Sequence, residues 1–497
     1  MKNYFKILIL VSSLSCVHEA CAQTSGDDVT ITIHVNDTCQ TIDGFGVGEA
    51  DWADDVFVFP KRDEIIDALF GENGLKANIL RGEVFPHYSL DSAHYDFALL
   101  SDTTSLVLDH INTMERDDLL RRGQFWLTSV VQQKYPKTMF TFSVWSPPAW
   151  MKEGNQKTEL FPASHGTLKE VHFQDFADYL VRFCKAFESI GVNVYALSPS
   201  NEPGYAAPWN SCLWTPDKMG AFVEEFLLPS FKENKLETKV IVGENPAWST
   251  VFDKLNSISS EAFVNHLIEN HQTMDNSRII AAGHGYTLPD SIPLPASMRK
   301  TPIVPFKLAI HNRIPMWVTE ISDITPLDSS MRDGLYWSEI FQQYLMDAHV
   351  SAIIWWLGAQ PTTSNESLIV MDKQTDSLIY TKRYDVFGNY SRYIPKGSKC
   401  VTSNVLGLDT RIRVASFING NRYIAVVTNP TNREVCATVS LDGAIPYNSL
   451  DCFTTTHEKR WKPSSCSLTD GNYMVSLPAL SVVTFVGEAS LSIPLNP

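Results

Sequence analysis

Residues 29–42 alternate apolar and polar positions, with Val29, Ile31, Ile33 and Val35 on one side. That period of two is the pattern of a half-exposed strand. From Gly44 the pattern changes. Short apolar runs at 43–48, 77–81, 138–145, 194–200, 239–243, 279–284, 315–320 and 351–357 are separated by longer stretches. Three of those stretches, Phe173–Ile190, Met219–Phe231 and Leu335–His349, carry a helical period. Continuous apolar runs are what parallel strands show when both faces are buried. Eight of them alternating with helices predict an α/β fold, a (β/α)8 TIM barrel.

After Pro395-Lys396-Gly397-Ser398 the helical period disappears. Arg411–Ile418, Tyr423–Asn429, Glu434–Leu441, Tyr473–Leu477 and Val482–Val486 read as strands with Gly, Asn, Pro and Ser between them. This predicts an attached all-β sandwich side domain. The strand near 29–35 has no helical partner and is expected to complete it. The expected layout is a leader at 1–22, an N-terminal strand joining the sandwich within 23–42, the barrel at 43–394 and the sandwich at 395–497. No internal repeat or low-complexity segment interrupts it.

The chain has 497 residues, 44% hydrophobic and 19% charged, enough for a large core. Its net charge of -16 argues against nucleic acid or an anionic membrane surface as partner. Lys2 and Lys6 flank a start that runs into the apolar stretch Ile7–Leu14, and Ala20-Cys21-Ala22 fits a cleavage site. These features predict export, to periplasm or exterior, with lipidation of Cys16 at the cell surface as the alternative. No later apolar run is long enough to span a bilayer. Of nine cysteines, seven remain beyond Cys16 and Cys21, and none has the paired spacing of a zinc site. Cys452 and Cys466 are the pair nearest in sequence. Cys184 reads as a buried thiol in a helix. No metal or other cofactor is expected.

The chemistry is concentrated at the ends of the apolar runs. Tyr195–Ser200 leads into Asn201-Glu202-Pro203, and Pro315–Thr319 leads into Glu320. In a (β/α)8 barrel every strand opens its C-terminal end on the active-site face. Strands four and seven face each other across that mouth. Two carboxylates there are the minimal equipment for cleaving a glycosidic bond. Asn-Glu-Pro alone also fits an ordinary turn, and Glu320 alone fits a solvent-facing strand end. Arg81 ends the second run, where a cation would keep a nucleophilic carboxylate ionised. His284 and Tyr286 end the sixth. The tyrosine hydroxyl can donate to a neighbouring carboxylate, whereas the histidine suits a structural or sugar-binding role better than metal ligation. Trp145, Trp150, Trp209, Trp355 and Trp356 lie at or near strand ends, where indole faces could stack on sugar rings. Core packing is the alternative for any one of them.

Taken together, these segments resemble glycoside hydrolase family 30, in the retaining barrel clan. The resemblance rests on Ile42-Asp43-Gly44-Phe45-Gly46, Leu80-Arg81, Ser143–Met151, Asn201-Glu202-Pro203, His284-Gly285-Tyr286, Thr319-Glu320 and Trp355-Trp356. It implies a barrel fused to a side β-sandwich, with Glu202 as acid/base and Glu320 as nucleophile. Gly204-Tyr205 and Trp214-Thr215-Pro216 place it nearer the xylanase-type than the glucosylceramidase-type branch. Glucuronate-dependent xylanases of the family carry an arginine after the second or eighth strand. Here those loops read Gly82–His87 and Leu357–Gln360, without one. The expected substrate is thus a β-glycan, xylan first, then β-1,6-glucan or β-1,6-galactan. A carbohydrate-binding protein without catalysis is the competing class. Endo or exo action and oligomeric state are left open by the sequence.

Overall fold

The computed structural model describes residues 29–49, 53–84, 89–91, 94–95, 116–156, 163–250, 252–286, 301–407 and 411–491. The expected leader, Cys16, Cys21 and His87 lie outside them. The first described strand is β1 (Val29–Thr41). Eight parallel strands then close into a barrel: β2 (Gly44–Gly48), β3 (Ile79–Glu83), β4 (Met139–Ser143), β5 (Val194–Ser198), β6 (Lys239–Gly243), β7 (Ile279–His284), β8 (Met316–Ile321) and β9 (Ala352–Trp355). They neighbour one another in chain order, and β9 pairs with β2 to close the ring. Each matches one apolar run of the sequence.

Alternation within each strand builds two layers. Ile79, Met139, Ala196, Ile241, Ile280, Ala282, Trp317, Ala352 and Ile354 fill the barrel interior. Their neighbours, among them Phe45, Leu80, Phe140, Phe142, Val240 and Val318, pack outward against helices. Tyr195 stacks on Trp317 at 5.9 Å, and the Trp317 indole donates to Asp43 at 2.8 Å.

The expected helices are present with local changes. One runs Phe173–Ser189. The 219–231 segment is a helix Pro216–Phe222, a wide π turn Val223–Leu227 and a helix Leu228–Glu233. Pro229, which lacks an N–H, sits just after the wide turn that absorbs its missing bond. The 335–349 segment is a helix Met331–Gln342 ending in a second π turn. A helix at Lys382–Ser391, which the sequence did not announce, leads out of the barrel.

The β module has β10 (Lys399–Gly407), β11 (Arg413–Asn419), β12 (Arg422–Asn429), β13 (Val435–Asp442), β14 (Ala444–Thr455), β15 (Lys462–Thr469), β16 (Asn472–Leu477) and β17 (Ser481–Leu491). With β1 they close into one nine-stranded sheet. β1 runs antiparallel to β10 and parallel to β13, so the N-terminal strand completes the module. The module docks on barrel helices. Gln342 donates to the Val426 carbonyl at 3.0 Å, the Ser338 and Thr428 hydroxyls meet at 2.7 Å, and Asn389 donates to Thr484 at 3.0 Å. Among the described residues no helix is long and apolar enough to cross a membrane.

Candidate active site

Arg81 lies two residues beyond Ile79 on β3, so the same alternation that buries Ile79 turns Arg81 inward. Glu320 needs an extra device. Regular alternation from the inward Trp317 would turn Thr319 inward and Glu320 out. Across β7 and β8, however, Gly283 faces Val318 and His284 faces Glu320, one residue out of step. This bulge at Thr319 sets Glu320 beside His284 on the inner face. Glu202 follows β5 at a sharp turn with φ 49°. Its N–H donates to the Glu244 carbonyl at 3.0 Å, and the Asn201 N–H donates to the Val144 carbonyl at 2.7 Å.

The polar groups converge. Arg81 donates through Nη1 to Glu320 Oε2 at 2.8 Å. Its Nη2 donates to Asn201 Oδ1 at 2.8 Å and to Glu244 Oε1 at 3.3 Å. The Tyr286 hydroxyl donates to Glu320 Oε1 at 2.6 Å. His284 lies between the carboxylates, with Nδ1 3.2 Å from Glu202 Oε1 and Nε2 3.7 Å from Glu320 Oε2. One oxygen of each carboxylate and a His284 nitrogen all lie within 4.8 Å of one another. A metal could be spanned by such a set, but the Arg81 guanidinium already supplies the local cation and would repel a second.

Burial pushes both carboxyls up, Glu202 to about 8. They differ in what opposes burial. Glu320 accepts from both Arg81 and Tyr286, whereas Glu202 is met at hydrogen-bond distance only by the His284 ring among the described contacts. A proton shared by the pair therefore sits on Glu202, and Glu320 carries the charge. Burial likewise holds His284 below its ordinary value, which favours a neutral ring.

The aromatic residues divide. Trp145 is buried beneath the Arg81 guanidinium, 5.1 Å from its ring centre, and packs against half-buried Trp356 at 6.0 Å. Trp209 is 39% exposed and meets Tyr205 edge-on at 6.1 Å. Trp150 is half-buried against His172. Trp355 corrects the sequence reading. It is fully buried, 4.6 Å from Trp337, and donates to the Glu366 carbonyl, because it faces outward where Ile354 faces in. No sugar can reach it.

Glu244, just beyond β6, was not singled out by the sequence reading. It is fully buried, accepts from Arg81, and accepts from the Ser143 hydroxyl at 2.7 Å. The signal was present: Val240-Ile241-Val242-Gly243-Glu244 is another apolar run ending in glutamate. Glu49 ends β2 in the same way but faces the outer helix, where Thr128 donates to it at 2.9 Å.

Barrel, side module and strand-end carboxylates together define a class, and comparison identifies it. The family model for O-glycosyl hydrolase family 30 matches residues 115–370. That is more than half of the chain, which belongs to this family. The chain is 31% identical over 249 residues to putative glucosylceramidase 3 of Caenorhabditis elegans, a match spanning 46% of this chain and 45% of that protein. It is 24% identical over 352 residues to glucuronoxylanase XynC of Bacillus subtilis, spanning 69% and 72%. The catalytic domain of family 30 xylanase C from Talaromyces cellulolyticus superposes with a TM-score of 0.71 at 20% identity, over 92% of this chain and 99% of that one.

Proposed function

We propose that this protein is a retaining β-glycoside hydrolase, with Glu320 as nucleophile and Glu202 as acid/base. The observation that carries this reading is the short gap between two carboxylates in unlike surroundings. Their nearest oxygens lie within 4.8 Å. Retaining enzymes hold their carboxyl groups roughly 5–5.5 Å apart, and inverting ones about 6.5–9.5 Å. In the first step a Glu320 oxygen bonds to the anomeric carbon as the glycosidic C–O bond breaks, and Glu202 gives its proton to the departing oxygen. In the second, Glu202 takes a proton from water, whose oxygen displaces Glu320 and restores the β configuration. Arg81 and Tyr286 fix the nucleophile, and in this reading Asn201 binds the hydroxyl beside the reacting carbon.

The substrate we infer is a neutral β-linked glycan, xylan first. Glu83, Glu244 and Glu320 stand at or just past the ends of β3, β6 and β8, with Arg81 in the middle of β3 and Glu202 holding its proton. A uronate side chain is poorly matched to that balance. Half-buried Trp356 and the exposed Trp209 are the sugar platforms. Export through the 1–22 leader belongs to the same reading.

Purified protein and Glu320→Gln are compared on xylan, β-1,6-glucan and β-1,6-galactan. The expected loss is on the order of a thousandfold or more in kcat. NMR of the first-released sugar is expected to show the β anomer. Equal rates in the two proteins overturn the nucleophile assignment, and an α product overturns retention. No cleavage by the wild type favours a binding protein.

A further inference from the structure

Glu244 has no part in the two displacement steps, yet it is built into their centre. It shares Nη2 of Arg81 with Asn201, while Nη1 is committed to Glu320. Its other oxygen is held by Ser143. Its backbone takes a left-handed φ of 50°, a conformation that costs free energy for a residue with a side chain. From that turn its N–H reaches the Ala282 carbonyl at 2.9 Å, and its carbonyl receives the Glu202 N–H. The ionisable groups that face it are Arg81 from β3, His284 from β7 and Glu202 from the loop after β5. Glu320 and Tyr286 act on it through Arg81.

Charge counting gives the residue a purpose. With His284 neutral and Glu202 protonated, Arg81, Glu244 and Glu320 sum to one negative charge. Ionising Glu202 would make two in a buried site, so the proton stays where the first step needs it. Once Glu320 becomes a sugar ester its charge is gone. Arg81 and Glu244 then cancel, and Glu202 is free to ionise and act as base. Without Glu244 the resting site would already be neutral, and Glu202 would lose its proton too early.

We propose that Glu244 is a positioning residue that holds Arg81 and supplies the fixed negative charge that keeps Glu202 protonated until the sugar ester forms. This rests on the hydrolase reading above. The arrangement around Arg81 and Ser143 carries it; the Arg81 guanidinium and its other partners also hold the Glu244 carboxyl below the usual range despite its burial.

The test is the pH profile of kcat/KM for Glu244→Gln on whichever β-glycan the wild type cleaves. The basic limb is expected to move down by about one unit or more. KM is expected to change less than kcat. The loss should be larger on the glycan than on an aryl β-glycoside whose leaving group needs no proton. Glu244→Asp should restore the limb toward the wild-type position. A merely structural glutamate would lower activity without moving the limb, and an unmoved limb overturns the proposal. Should Glu244→Gln fail to fold, Ser143→Ala carries the test. Loss of that hydroxyl lets Glu244 protonate more easily, so the limb moves the same way by less. Glu320→Gln is assayed alongside. If it keeps full activity the hydrolase reading fails; if it is inactive while the Glu244 limb is unmoved, only this inference fails.

Discussion

Glu202 carries its proton because burial, with the Glu244 charge nearby, outweighs the pull of the Arg81 cation, and that makes its titration visible in two ways. The first is rate. With its pKa pushed up to about 8, the acid should be lost as pH rises through that value, so kcat/KM should fall above it. Replacing Glu202 by Ala should cost about 10²–10⁴-fold on glycans and far less on aryl glycosides with good leaving groups. A uniform loss across leaving groups would contradict the acid role. The second is stability. A carboxyl whose folded pKa is raised destabilises the fold above its unfolded pKa, and the effect grows until the folded pKa is reached. Glu202→Gln should therefore be more stable than wild type at pH 8, by up to about 4 kcal/mol, and should match wild type at pH 4. The reverse order at pH 8 would show that Glu202 is ionised and well paired. Glu202, Glu320, Arg81 and Tyr286 were legible because each ends an apolar run or stands just past it. Trp355 was misread because it ends β9 facing outward while Trp356 lies just past the strand, and sequence alone does not say which faces in.

At the level of elements, the eight runs were readable since parallel strands buried on both faces leave little polar sequence. The module strands β10, β14 and β15 were not, for the opposite reason. β15 reads Lys-Pro-Ser-Ser-Cys-Ser-Leu-Thr and is largely exposed, so hydrophobicity does not mark it. The bulge at Thr319 left no sequence signature either, although it decides which way Glu320 points. Loop contacts are equally hidden. Gly204, two residues after Glu202, passes so close to the Ser257 carbonyl that a Cβ there would lie 1.6 Å from its oxygen. Its N–H also donates to Asn245 at 2.7 Å. Gly204→Ala should push the Glu202 loop off its seat. The expected result is at least a tenfold fall in kcat, with the melting temperature changed much less than for a core substitution. Unchanged kcat would mean that the 252–258 segment moves instead.

The whole molecule is joined through its ends. β1 comes from the N-terminal side and the rest of its sheet from the last hundred residues, so the module cannot close until the full barrel lies between them in the chain. Val29, Ile31, Ile33 and Val35 of β1 are buried in the module core, and their burial is worth on the order of 6–12 kcal/mol. That is comparable to the total stability of an ordinary domain. The barrel depends on the module in turn. Phe417, Ile424, Val426 and Val482 belong to the same apolar cluster as Phe341, Tyr390 and Phe387 on the barrel side. Ser338, Gln342 and Asn389 would lose buried partners if the module opened, and unpaired buried polar groups are costly. Removing residues 29–41 should therefore unfold more than one strand. The truncated chain is expected to be poorly soluble and inactive, while the longer chain melts in a single calorimetric transition whose heat accounts for both parts. A truncated chain that stays soluble and keeps its kcat, or a full chain that melts in two separated steps, would show that the barrel stands without its side module.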